Sequence, residues 1–291
     1  MHDVKRAAKG RNLTEIIDAG RSKGFPFVSV IVLVLLLAGC LCWPLLSGSD
    51  PARMYLDQLV LPPGKGHIFG TDTLGRDIWS LIWYGGLRSL IIGAGATIIS
   101  TFIAVVYGTV SGLASETADS IMMRLTEILL SIPSILLIVF MQAAMGQRNV
   151  IGITVIIGLT GWMNISKMVR TEVRKIRNEE YVLISRMMGG SFFHILRKHL
   201  APNFISTIMF MVVMNVRSAI VSESTLSFLG IGLPVEIITW GSMLSLSEKA
   251  LLTGAWWIIL IPGIFLVVTL LCITQIGNYI RGVTNRKARN L

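Results

Sequence analysis

Residues 27–46, 89–115, 128–147, 150–166 and 250–280 contain no charged side chain, and this feature constrains the fold more than any other. The hydrocarbon core of a bilayer takes about 20 apolar residues as a helix, and a helix satisfies its own backbone there. The first run is longer than the core of a signal peptide and has no small-residue cleavage site after it, so it reads as a span. A further span starts near Phe204, meets Arg217 and then Glu223, and ends where Ser227–Pro234 break the helix. The count is six, and the fold class is an all-α integral membrane protein. Charged residues make up 14% of the chain against roughly a quarter in soluble domains, which excludes an ordinary globular enzyme. The apolar content equally excludes disorder.

The net charge of +10 raises the possibility of a polyanion partner, and the positions of the charges decide against it. Lys5, Arg6, Lys9, Arg11, Arg21 and Lys23 precede the first span. Lys167, Arg170, Arg174, Lys175, Arg177, Arg186, Arg197 and Lys198 crowd the segment 167–200, Arg124 follows span two, and Arg281, Arg286, Lys287 and Arg289 follow the last span. With six spans all of these share one side. The positive-inside rule makes that side cytoplasmic, with both termini on it. The opposite side receives Arg53, Lys65, Arg76, Arg88, Arg148 and Lys249. The basic excess is a topology signal, and no nucleic acid is expected. The organisation reads as a basic tail (1–25), a first span with a long external segment (26–86), a helical domain (87–281) with an internal loop at 167–203, and a second basic tail (282–291).

No P-loop, H-E-x-x-H or G-x-S-x-G motif is present, so nothing points to nucleotide, zinc or acyl chemistry. His194 and His199 are five apart, and His2 and His67 fall on opposite sides, so no metal site is expected. Cys40, Cys42 and Cys272 lie in apolar runs without a Cys-x-x-Cys pair and read as small core residues. Gly108-x-x-x-Gly112 suits a close helix contact. Trp79, Trp83 and Tyr84 read as interfacial anchors. Arg217 and Glu223, expensive in lipid, would face a pathway or a partner subunit, and six residues apart they are not expected to pair.

Residues 178–203 are the most specific segment. Two short helical stretches, roughly 179–188 and 191–200, are hinged at Gly189 and Gly190, where glycine permits a positive φ. Tyr181, Ile184 and Met188 make one apolar stripe, and Phe192, Phe193, Ile195 and Leu196 make another. Such a surface marks either an interaction site or a helix lying on lipid.

This segment resembles the EAA loop of importer-type ABC permeases. Glu180, Tyr181, Val182, Arg186, Gly189, Ser191, Arg197, His199, Pro202 and Asn203 match, whereas the triplet that names the loop is replaced by Leu183, Ile184 and Ser185. Residues 67–90 resemble an external signature of the dipeptide/oligopeptide/nickel importer permeases, through Gly70, Thr71, Asp72, Gly75, Arg76 and Asp77. Leu81 and Leu87 stand where that signature has arginines. Residues 222–232 (SESTLSFLGIG) and Trp240–Met243 match the same family, in the second of its two paired permease types. Near the end, Gly277-Asn278-Tyr279-Ile280-Arg281-Gly282 lacks the two aspartates usual there.

The resemblance covers about residues 25–283 and implies a type I importer permease fold with cytoplasmic coupling helices, in a bacterial inner membrane. It implies a non-catalytic permease subunit that forms, with a second permease, the pathway for peptides, nickel or metal chelates. Two ATPase subunits would dock on the 178–203 loop and bind ATP and magnesium, leaving this chain without a cofactor of its own. An extracytoplasmic binding protein would deliver the solute. The residue reading keeps a stand-alone ion-coupled secondary transporter as the alternative, although no internal repeat accompanies it. A membrane-embedded enzyme would need a polar constellation that is not found.

Overall fold

The computed structural model describes residues 25–47, 51, 53–146, 148–177, 179, 187–188, 201–246, 250 and 254–289, with the backbone alone for 201–207 and 285–289. Among these residues the helices are α1 (Phe27–Ser47), α2 (Ile78–Leu113), α3 (Glu116–Ser131), α4 (Ser134–Met145), α5 (Val150–Thr160), α6 (Met163–Ile176), α7 (Ala201–Phe228), α8 (Trp240–Ser245) and α9 (Trp257–Arg289). No sheet is present among them; two isolated bridges, Gly64 with His67 and Thr71 with Asp77, are the only extended pairings.

The central element is α2, which packs on α1, α5, α6 and α7. It can do so because it buries small residues turn after turn, among them Gly85, Ser89, Gly93, Ala96, Ser100, Ala104, Gly108 and Gly112. The expected close contact falls on Gly108 and Gly112. A β-carbon on Gly108 would stand 2.6 Å from the Ser166 carbonyl oxygen, and one on Gly112 2.7 Å from Val173 Cγ1. Val169 and Val173, four apart on α6, lie over the two glycines and share a core with Ala104, Ile165, Ile176 and Ile208. Shape, rather than a hydrophobic drive, holds helices together in lipid, so this fit fixes the position of α6.

Helices α1, α2 and Trp257–Thr284 of α9 are each long and apolar enough to cross a membrane. The pairs α3/α4 and α5/α6, bent by 89° and 43°, each count as one broken span. With the 28-residue α7 the total is six.

Four boundaries differ from the sequence reading. The second span begins at Ile78, not 89, because the Asp77 side chain accepts the Ser80 N–H at 2.9 Å and caps the helix there; Arg88 is therefore inside the span, donating to the Ile238 carbonyl at 3.3 Å. The third span is not one continuous helix with Pro133 in it. Ile132, forced to an extended backbone (φ −85°, ψ 128°), separates α3 from α4, as expected of a residue before proline. The fourth span breaks at Gly161–Trp162 and resumes as α6. The last helix starts at Trp257 and continues through the basic tail to Arg289, since that tail contains no proline to stop it. Cys40 and Cys272 are buried as expected, but Cys42 is exposed on α1.

Candidate functional site

The bundle has two polar ends. One, here called the signature end, contains residues 53–77, the connection after α7, and α8. The other, the basic end, contains the α2–α3 turn and the end of α6, from which residues 178–200 depart.

At the signature end, Gly70–Asp77 folds inward. Asp72 and Arg76 are 2% and 3% exposed. The Asp72 carboxylate accepts from Leu74 N at 2.8 Å, Arg76 N at 2.9 Å and Arg76 Nε at 2.7 Å. Arg76 also donates to the Val235 carbonyl at 3.4 Å. Thr71 Oγ1 donates to the Gln58 carbonyl at 2.6 Å and accepts from Leu61 N at 2.7 Å. Trp257 at the start of α9 donates its indole N–H to the Thr71 carbonyl at 3.1 Å. Gly75 turns the chain at φ 76° with Tyr55 pressed against it, where a β-carbon would collide with the Tyr55 carbonyl. Asp77 caps α2 and meets His67 Nδ1 at 3.0 Å. The six signature residues are thus brought together as a staple across α2, α9 and the connection after α7. The neighbouring aromatics pack inward as well: Trp79 lies against Trp43, Phe69 and Trp83, and Trp83 lies against Phe265, with centroids 5.1–5.6 Å apart.

Glu223 is fully buried. Its carboxylate accepts from Thr239 Oγ1 at 2.7 Å, Ser227 Oγ at 2.9 Å and Ser224 Oγ at 3.4 Å. Thr239 is the N-cap of α8 in a reciprocal capping box with Ser242, and Trp240 N donates to Ser89 Oγ of α2 at 3.2 Å. Gln142 of α4 donates to the Gly232 carbonyl at 3.1 Å. One carboxylate therefore ties α7 to α8, and the surrounding bonds tie α8 to α2 and the connection between α7 and α8 to α4. Arg217, by contrast, is exposed on α7. The two do not pair with each other, as their spacing predicted, and their surroundings have nothing in common.

At the basic end, Asp119 in the first turn of α3 is 2% exposed and receives Arg170 in a two-pronged ion pair, with Nε at 2.5 Å. Arg174 Nη2 stands 3.3 Å from the same carboxylate, and Ser111 Oγ donates to it at 2.6 Å. Arg177 donates to the Gly112 carbonyl at 3.0 Å, which satisfies one of the orphan acceptors at the end of α2. In the sequence Arg170, Arg174 and Arg177 stand out only as topology markers, and Asp119 carries no assigned role. The available signal was the i, i+4 pair of arginines with an acid soon after span two.

The loop residues Glu180, Tyr181, Val182, Leu183, Ile184, Ser185, Arg186, Gly189, Ser191 and His199 lie outside the described residues. Pro202 and Asn203 fall in the first turn of α7, where only the backbone is described.

Residues 104–289 match the family of binding-protein-dependent transport system inner membrane components, more than half of the chain. The chain belongs to that family. This permease is 36% identical to the dipeptide transport system permease protein of Bacillus subtilis (strain 168) over 260 residues, 89% of this chain and 81% of that one. It is 34% identical to the oligopeptide transport system permease protein of the same organism, over 92% of this chain and 88% of the other. A putative peptide transport system permease protein of Brucella suis biovar 1 (strain 1330) is 32% identical over 92% and 90% of the two chains. Among solved structures, the MetNI methionine ABC transporter in an inward-facing form superposes with a TM-score of 0.55 at 17% identity, over 70% of this chain and 96% of that one. At that identity the likeness concerns the fold. The permease is accordingly a multi-pass component of an ABC importer, and nothing in these matches favours the stand-alone secondary transporter.

Proposed function

We propose that this permease carries peptides, forming the pathway with a second permease while two ATPase subunits and an extracytoplasmic binding protein act on it from opposite sides. The peptide substrate rests on the names of the relatives that match along nearly all of the chain. Nickel and metal chelates, carried elsewhere in the resembling family, have no such support. The chain itself is non-catalytic and needs no cofactor; ATP and magnesium belong to the ATPase subunits. The basic end is cytoplasmic, together with both termini, in agreement with the charge distribution.

The observation that carries the mechanism is the clamp of Asp119 by Arg170 and Arg174, with Arg177 on the Gly112 carbonyl. Helix α6 leads directly into residues 178–200, the proposed ATPase docking loop. When a docked ATPase moves that loop, α6 moves as a rigid lever. The clamp and the Gly108/Gly112 seat pass the motion to α2 and α3, which is domain movement by hinge and shear. The inward-folded staple supports a sealing role for the external signature rather than a docking role, since its charges are spent within the chain.

The test is reconstitution with the second permease, the ATPases and the binding protein in liposomes. Uptake of a labelled tripeptide should require ATP and the binding protein. Gly189→Pro, which fixes φ near −65° and removes a backbone donor, should leave assembly intact and abolish both uptake and peptide-stimulated ATP hydrolysis. Normal uptake by that variant would overturn the docking role.

A further inference from the structure

The exposed faces of the long helices are not alike. Helix α1 shows Val28, Ile31, Val34, Leu35, Leu41 and Leu45; α2 shows Ile91, Ile98, Phe102, Val106 and Val110; α9 shows Leu260, Ile264, Val267 and Leu271. These are faces suited to lipid. Helix α7 exposes Met209 and Phe228, and between them Arg217, Ser218 and Val221, with Ser222 and Thr225 half-buried beside them. At about 1.5 Å per residue, this stripe is roughly 12 Å long and lies in the C-terminal half of the 28-residue helix.

Thr225 Oγ1 is satisfied by the Val221 carbonyl at 2.8 Å. Arg217, Ser218 and Ser222 have no hydrogen-bond or ion-pair partner among the described residues. The acid on the same helix, Glu223, is buried and already accepts three hydroxyls. A guanidinium cannot be left bare against acyl chains, so this face meets water or an anion. A tight helix–helix seam is also a poor fit. Ser218 and Ser222 are small enough for such a seam, where backbones approach closely, but the arginine at the start of the stripe protrudes and would hold a second helix away.

We propose that Arg217 is a carboxylate-recognition site in the wall of the translocation pathway, taking the C-terminal carboxylate of the transported peptide. The inference rests on the peptide reading above and names the group of the substrate that this chain recognises. A guanidinium offers a planar fork of donors that matches a carboxylate in two-point contact. Placed in an exposed stripe rather than a closed pocket, the site would guide the solute without trapping it.

The experiment uses the complete complex in liposomes, with trialanine and trialanine amide as probes. Wild type should take up the free acid at least about tenfold faster than the amide. Arg217→Gln should lower uptake of the acid about tenfold, collapse the acid-to-amide preference, and leave complex yield unchanged. Arg217→Lys, which retains charge but not the fork, should fall between. An unchanged acid uptake or an unchanged preference in Arg217→Gln would overturn the proposal. A fall in complex yield would overturn it in favour of a bond to the second permease. Failure of the wild-type complex to carry either probe, with ATP and binding protein present, would instead count against the peptide reading itself.

Discussion

The two ends of the bundle are held by opposite means. The signature end is organised around two carboxylates, Asp72 and Glu223, 2% and 0% exposed, whose partners lie within the chain and within a few residues or one helix turn of a loop. The basic end is organised around one buried carboxylate, Asp119, but its arginines, Arg170 and Arg174, remain 24% and 33% exposed. In the first arrangement a disturbed bond strands a donor with no water to replace its partner. In the second, water can replace a lost acid on the arginine side. The contrast assigns stiffness to the signature end and permitted movement to the basic end, where the loop that would meet the ATPases departs.

The largest effect should therefore come from Glu223. Glu223→Leu removes the acceptor of Thr239 and Ser227 and leaves both hydroxyls buried, each at about 1–3 kcal/mol. The cap of α8 and its hold on α7 should loosen together. Thermal unfolding of the purified complex should shift down by several degrees and yield should fall, whereas Glu223→Gln, which keeps an acceptor in place, should lose much less. Equal loss in the two variants would mean that the charge, not the hydroxyl network, holds this end.

How much of this was legible in the sequence follows from distance along the chain. The spans could be read because each is a contiguous uncharged run, and the Gly108/Gly112 seat because both glycines lie on one helix at i, i+4. The Ile132–Pro133 break was missed because membrane helices tolerate proline, as Pro44 and Pro262 do inside α1 and α9. The start of α2 lies before the uncharged run because Arg88 interrupts that run, while the Asp77 side chain caps the helix earlier in the chain. The Glu223 network could not be read at all: Thr239 lies 16 residues away, and Ser89, which anchors α8 beside it, 151 from Trp240. Asp119 and Arg170 are separated by 51 residues, and only folding of α6 along α2 brings them together. Helix periodicity reaches a few turns, and contacts across a bundle lie beyond it.

An intermediate effect is expected at the basic end. Asp119→Asn keeps the shape but replaces a charge-assisted, two-pronged contact with a neutral one, a loss of about 1–3 kcal/mol. The complex should assemble, and ATP hydrolysis should continue, while uptake per ATP falls because α6 no longer pulls α2 and α3 with it. Unchanged uptake per ATP in Asp119→Asn would contradict the clamp.

The smallest effect separates burial from mere pairing. Lys167 and Glu127 also join α6 to α3 at the basic end, 3.4 Å apart, but they are 37% and 62% exposed. An exposed pair contributes about 0–1 kcal/mol, since solvent screens it and both long side chains lose freedom to hold it. Lys167→Ala should therefore leave thermal stability within about 0.5 kcal/mol of wild type and leave uptake per ATP unchanged, although it joins the same two helices as the Asp119 clamp. A loss as large as that of Asp119→Asn would show that the count of ion pairs between α3 and α6, rather than the buried carboxylate that organises them, carries the lever's motion.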